Sequence, residues 1–123
     1  MSPRVVDIPG LRLCSEANQR EHHFAKARRV ARQRDLVCMC LRPRVLEYGL
    51  RLPLVVRIVR IAPRELDAHD NLGSACKAVA DGITDALGLK SDRTPGLSFE
   101  YGQERGKPRA YGVRIEVRSV GGE

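Results

Sequence analysis

The stretch from residue 54 to residue 88, "LVVRIVRIAPRELDAHDNLGSACKAVADGITDALG", joins two hydrophobic patterns and decides the fold class. Residues 54–61 are rich in β-branched side chains and too few for a typical helix, so they predict a strand covered on much of both faces. Apolar residues then recur at helical spacing over residues 70–87, and Gly88 follows as a C-terminal cap. A strand followed by an amphipathic helix is typical of an α/β or α+β domain.

The flanking segments extend this pattern in both directions. Residues 5–13, "VVDIPGLRL", predict a short strand or extended arm, and Ser15 offers an N-cap for the helix "EANQREHHFAKARRVARQR". Residues 42–53, between Pro43 and Pro53, predict a loop. The segments "LSFEYGQ" and "AYGVRIEV" predict a β-hairpin around the turn "ERGKP". We therefore expect residues 1–123 to form a single compact α/β (α+β) domain, with a small mixed sheet packed against helices and a closing β-hairpin.

The charge of the chain points towards polyanions. Its 22 Lys and Arg residues outnumber 15 Asp and Glu residues, which gives a net charge of +7. Nucleic acid is the commonest polyanion, although charge alone fits a merely basic protein equally well. Residues 15–44 hold eight basic and three acidic residues, and such a helix suits a phosphate backbone. The basic residues predicted to contact DNA are Arg20, Lys26, Arg28, Arg29, Arg32 and Arg34.

The N-terminal residues and the cysteines indicate a compartment. "MSPRVVDIPG" lacks an apolar core of signal-peptide length, and no apolar run approaches a membrane span, so we expect a cytoplasmic protein without membrane contact. Its four cysteines, Cys14, Cys38, Cys40 and Cys76, are then expected to be reduced. A zinc site made by Cys38 and Cys40 with His22 and His23 is an alternative, but C-x-C is not a zinc-finger spacing.

Five aspartates gather between residues 67 and 92 of this basic chain, and two explanations compete. On a helical projection Asp70, Lys77 and Asp81 share one stripe, opposite the apolar stripe. In the first explanation Asp70 or Asn71 caps the helix, and Lys77 and Asp81 form an exposed ion pair. In the second, carboxylates bind Mg²⁺ for phosphate chemistry, and Lys77 stabilises charge on the phosphate.

The segment "ELDAHDNLGSACKAVADGITDALGLKSD" resembles the signature of RusA-type Holliday junction resolvases, especially the phage-borne branch. The likeness covers about residues 53–118. It implies a homodimer that uses Mg²⁺ or Mn²⁺, without an organic cofactor, to nick four-way DNA junctions during recombination and repair. By position, it implies catalytic roles for Asp67, Asp70, Lys77 and Asp92. The three aspartates of that set would ligate the metal, and Asn71 and Asp81 would be supporting residues.

Two positions depart from the family pattern. One extra residue separates Asp67 from Asp70, and Ser91 stands where a second aspartate is common. In extended backbone one residue turns a side chain to the other face, so a local bulge would have to restore Asp67, or His69 would replace it. A non-catalytic junction-binding protein with the same fold is therefore the alternative hypothesis.

Overall fold

Alternating apolar residues in four segments, and helical apolar spacing in three, produce the secondary structure in a computed structural model that describes residues 3–14, 23–66 and 71–120. The described strands are β1 (Arg4–Pro9), β2 (Leu54–Ala62), β3 (Leu97–Arg105) and β4 (Gly112–Ser119). The described helices are α1 (His23–Tyr48), α2 (Leu72–Ala75) and α3 (Lys77–Ala86).

The strands form one mixed sheet in the order β1-β4-β2-β3. β2 runs antiparallel to β4 and parallel to β3, and β1 is antiparallel to β4. Ile58 lies opposite Ile115, and both belong to the core that α1 and α3 cover. Val59 points to the other face of the sheet and is also fully buried. The structure thus confirms the predicted α+β class, the mixed sheet and the strand with both faces covered.

The predicted closing β-hairpin is wrong. Both of its strands exist, but β2 lies between them, and the connection from β3 to β4 passes the end of β2, where Gly106 N–H donates to the carbonyl of Ala62. The physical reason is the composition of the strands. β2 is the most apolar of them and is largely buried, whereas β3 is mostly exposed and polar. Burial therefore favours β2 at an inner position and β3 at the edge.

The loop predicted from Pro43 onwards is also wrong, because α1 continues through Pro43 as far as Tyr48. Proline removes the hydrogen bond to the carbonyl four residues earlier, that of Met39. Both residues lie on an exposed side of α1, where water can solvate that carbonyl. The helix ends at Gly49, whose positive φ lets Leu50 N–H donate to the carbonyl of Val45.

The helix predicted over residues 70–87 is divided by a turn at Cys76 into α2 and α3. Its predicted cap is confirmed. Gly88 has φ +72°, and the N–H groups of Gly88 and Leu89 donate to the carbonyls of Asp85 and Thr84, which is the Schellman arrangement. The predicted apolar stripe is buried as well. The cap ends α3 sharply, so the chain turns back towards β3 and carries Asp92 past the side of the helix.

Candidate active site

Lys77, the first residue of α3, lies between two carboxylates. Its Nζ is 2.7 Å from Asp92 Oδ2 and 3.2 Å from Asp81 Oδ1. Asp81 is one helical turn further along α3, so this contact is the i, i+4 pair predicted from the sequence. Asp92 is 15 residues away and is brought to Lys77 by the reversal after Gly88. The structure thus joins three of the predicted site residues in one group, the Lys77 cluster (Lys77, Asp81 and Asp92).

The protonation states in the Lys77 cluster follow from these contacts. The hydrogen bond with Asp92 raises the pKa of Lys77 above its ordinary value, and the same bond lowers the pKa of Asp92. Lys77 is therefore an ammonium ion at neutral pH, and Asp92 is a carboxylate. The Lys77 side chain is 59% exposed, while each aspartate is 25% exposed. The cluster consequently presents a cation to solvent with two carboxylates partly shielded beside it.

Asp67, Asp70 and His69 lie outside the described residues, but the chain leading to them is well defined. Gln103, on β3, holds Leu66 by both backbone groups: Leu66 N–H donates to Oε1 at 2.9 Å, and Nε2 donates to the Leu66 carbonyl at 2.7 Å. Asn71, on the far side of this segment, occupies the N-cap position of α2, and its carbonyl accepts the N–H of Ala75. Both ends of the acidic segment 67–70 are therefore anchored.

Sequence reasoning missed Gln103 and two further residues near the Lys77 cluster. Tyr101 lies two residues before Gln103 on the same face of β3. Partial burial raises the pKa of its hydroxyl, and Asp92 and Lys77 also act on it electrostatically. Arg60, opposite Gln103 on β2, is buried and donates to the carbonyls of Leu13 and Arg64. Only the pairing of β3 with β2 reveals these neighbours; strand alternation alone shows that Tyr101 and Gln103 share a face.

A groove of about 490 Å³ lies beside the cluster, between the first half of α1 and the start of α3. Lys26 and Lys77 both line it, with Val30 and Ala78 among its apolar lining residues. Of the basic residues predicted to contact DNA, Lys26 is thus the one that the described structure brings to the same groove as Lys77.

The other predicted DNA contacts are distributed around α1. Arg28 and Arg32 are exposed and lie roughly opposite the buried side of the helix that includes Val37. Arg34 instead makes a two-bond ion pair with Asp85 of α3, at 2.6 and 2.8 Å. This pair raises the pKa of Arg34 and lowers that of Asp85. Arg29 is partly buried, and Arg20 lies outside the described residues.

The described residues contribute two carboxylates, Asp81 and Asp92, of the kind that Mg²⁺ binds, so the donor chemistry fits the implied metal. Within residues 3–14, 23–66 and 71–120, no three His, Cys, Asp or Glu side chains are grouped to hold an ion. The zinc alternative meets a geometric obstacle. His23 and Cys38 are 15 positions apart on the same helix, about 22 Å at 1.5 Å per residue.

Comparison with known proteins adds no relative: no protein-family model matches the chain, and no curated protein matches it. The likeness to RusA-type resolvases therefore stays a hypothesis based on the residues themselves. In the described part of the chain, no helix combines the length and the apolar character needed to cross a membrane.

Proposed function

We propose that this protein is a metal-dependent, structure-selective endodeoxyribonuclease that hydrolyses phosphodiesters at four-way or otherwise branched DNA junctions. The observation that carries the proposal is the Lys77 cluster. A protonated lysine and two carboxylates meet from separate parts of the chain, close to the segment that holds Asp67 and Asp70. An ion pair formed only to stabilise the surface would contribute little, at most about 1 kcal/mol.

Each residue of the proposed site has a distinct role. Asp67, Asp70 and Asp92 would hold Mg²⁺ or Mn²⁺, which makes a bound water more acidic and stabilises charge on the scissile phosphate. Lys77 acts as a fixed cation beside that phosphate rather than as a base, since its contact with Asp92 keeps it protonated. Asp81 holds the lysine side chain in place, one turn along α3. Asn71 supports the end of the acidic segment.

The proposed substrate contacts follow from the basic surface. Lys26 lies on the groove next to Lys77, where the strand entering the site would pass. Arg28 and Arg32 would contact phosphates further away, which position the DNA without reading its sequence. A branched substrate cut on two strands needs two sites, and a twofold dimer would supply them. Sedimentation of the free protein tests the dimer.

The test is cleavage of a synthetic four-way junction with and without Mg²⁺. We expect paired nicks from the wild type that require the metal. Lys77→Ala, Asp70→Asn and Asp92→Asn should each lower the cleavage rate by at least about a hundredfold, the usual scale for removing a group that stabilises transition-state charge. Asp85→Asn is the matched control, because it alters a carboxylate on the same helix that pairs with Arg34 instead. Equal losses in Asp85→Asn and Asp92→Asn would contradict the assignment.

A non-catalytic junction-binding protein is the second candidate, favoured by the extra residue between Asp67 and Asp70. It predicts junction binding that does not depend on Mg²⁺ or Mn²⁺ and no cleavage with either ion. A folded wild-type protein that neither binds nor cuts the junction would overturn both candidates and leave the aspartates as helix caps and surface charges.

A further inference from the structure

The amide of Gln103 makes the paired contacts that a neighbouring strand would make. Its oxygen accepts from Leu66 N–H at 2.9 Å, and its nitrogen donates to the Leu66 carbonyl at 2.7 Å, so both backbone groups of one residue are satisfied. Gln103 is itself partly buried on β3. Loss of its side chain would leave partly buried backbone groups unpaired, which typically costs about 1–3 kcal/mol per group.

A second polar side chain fastens the same return of the chain. Arg60 lies opposite Gln103 in the parallel pairing of β2 with β3, and its Nη1 donates to the Arg64 carbonyl at 2.8 Å. The segment that leaves β2 is thus held at Arg64 by one strand and at Leu66 by the next. Arg60 also donates to the carbonyl of Leu13, so its role is broader than that of Gln103. The Gln103 amide directs both of its hydrogen bonds to Leu66.

The position of this clamp gives it a consequence for the proposed site. Leu66 is followed directly by Asp67, whose Cα is fixed about 3.8 Å from that of Leu66 by the trans peptide. A shift of one residue in extended backbone turns each side chain to the opposite face. Holding both the N–H and the carbonyl of Leu66 fixes the rotation of the peptide units around it. It therefore fixes the direction in which the chain enters the acidic segment.

We propose that Gln103 is a positioning residue for metal binding: by clamping Leu66 it sets the entry of the Asp67–Asp70 segment into the site. This inference rests on the proposed function. It also explains how a chain with altered spacing between Asp67 and Asp70 would retain a defined site. Gln103 itself would touch neither metal nor DNA, and it would act through Leu66.

The experiment compares Gln103→Met with Gln33→Met. Both variants replace a glutamine by an apolar side chain of similar length and remove a bond to a backbone carbonyl, since Gln33 donates to the carbonyl of Arg12. The measured quantity is the Mg²⁺ concentration for half-maximal junction cleavage, with the melting temperature measured alongside. We expect Gln103→Met to raise that concentration about 10- to 100-fold, the usual effect of losing a partner that orients metal ligands.

Saturating Mg²⁺ should restore most of the cleavage rate in Gln103→Met, because Lys77 and Asp92 are unchanged. Gln33→Met should lose thermal stability without a change in metal requirement. If Gln103→Met does not fold, Gln103→Asn provides the same test, since a side chain shorter by one methylene cannot make both bonds unless the backbone moves. Amide hydrogen exchange at Leu66 should quicken in either Gln103 variant and remain slow in Gln33→Met.

The outcomes separate the inference from the function beneath it. An active wild type whose metal requirement is the same in Gln103→Met overturns the positioning role alone. Equal rises in Gln103→Met and Gln33→Met also overturn it, because they show general destabilisation. A folded wild type without metal-dependent cleavage overturns the proposed function, and the positioning role falls with it.

Discussion

Lys77 shows how much a single side chain gains from its surroundings. Its contact with Asp81 follows from helical spacing, but its shorter contact with Asp92 depends on the reversal after Gly88. The two contacts together keep the lysine charged and hold Asp92 ionised. At the residue scale the cluster is therefore an electrostatic device, and its strength should depend on pH.

We expect the coupling between Lys77 and Asp92 to be present at neutral pH and to disappear in acid. The pKa of Asp92 is lowered in the folded state, so the coupling is complete above the unfolded value of 3.8 and is lost as the pH falls through the lowered pKa. The pKa of Lys77 is raised, so on the alkaline side the coupling persists past 10.5. A double-mutant cycle with Lys77→Met and Asp92→Asn, followed by urea unfolding, measures it.

The coupling energy should be at most about 1 kcal/mol at pH 7, because Lys77 is largely exposed and solvent screens the pair. Lys77→Met with Asp85→Asn is the control cycle and should show no coupling. A Lys77–Asp92 coupling that is unchanged at pH 2 would contradict the assignment.

Cys76, next to Lys77, should be chemically inert in the native protein. It is fully buried at the turn between α2 and α3, and burial raises the pKa of its thiol to about 12. Because the thiolate is the reactive form, iodoacetamide at pH 8 should leave Cys76 unmodified until denaturant is added. Mass spectrometry of the labelled peptides checks this, with the partly exposed Cys38 and Cys40 as internal comparison. Rapid native labelling at Cys76 would contradict its burial.

At the scale of elements, α1 and α3 pack closely because Gly82 has no side chain. A Cβ at that position would lie 2.5 Å from the carbonyl oxygen of Arg34 and 2.8 Å from Cβ of Val37. The Arg34–Asp85 ion pair lies along the same helix contact, one turn further on α3. The glycine therefore sets the helix separation that brings these two side chains into range.

Gly82→Ala should destabilise the protein by about 1–3 kcal/mol, although alanine favours helix formation, because backbone atoms of α1 would have to move. Gly73→Ala is the matched control: nothing lies within 4 Å of a Cβ there, so the change should be neutral or stabilising by about 0.5–1 kcal/mol. Chemical denaturation of the two variants measures the difference. A Gly82→Ala protein as stable as the wild type would show that the helices can separate without cost.

The elements also show where sequence patterns are incomplete guides. Pro43 predicted the end of α1, yet the helix passes through it on an exposed side, where the lost hydrogen bond is replaceable by water. The apolar stripe of α3 was predictable because burial of that stripe follows directly from helical spacing. The break at Cys76 was not, because it depends on how α2 meets the rest of the molecule.

At the scale of the whole molecule, the surplus of positive charge should dominate DNA binding. Replacing Arg28 and Arg32 together by glutamine should make the dependence of log affinity on log salt less steep by about 2, near 0.9 for each phosphate that is no longer neutralised. Replacing Arg57 and Arg118, on the sheet face away from the helices, changes the charge equally and serves as control. Fluorescence anisotropy with a labelled junction at several salt concentrations measures both slopes. Equal changes in both would indicate attraction by net charge without a defined surface.

The sequence by itself determined the four strand segments, the buried stripe of α3, its glycine cap and the Lys77–Asp81 pair, because each depends on periodicity or spacing within a few residues. Only the tertiary structure decided that β2 separates β3 from β4, that Asp92 joins Lys77, and that Gln103 holds Leu66. These contacts join residues 15 or more positions apart. Strand order and loop reversal fix them, and those are set by burial of the whole core, which no local pattern encodes.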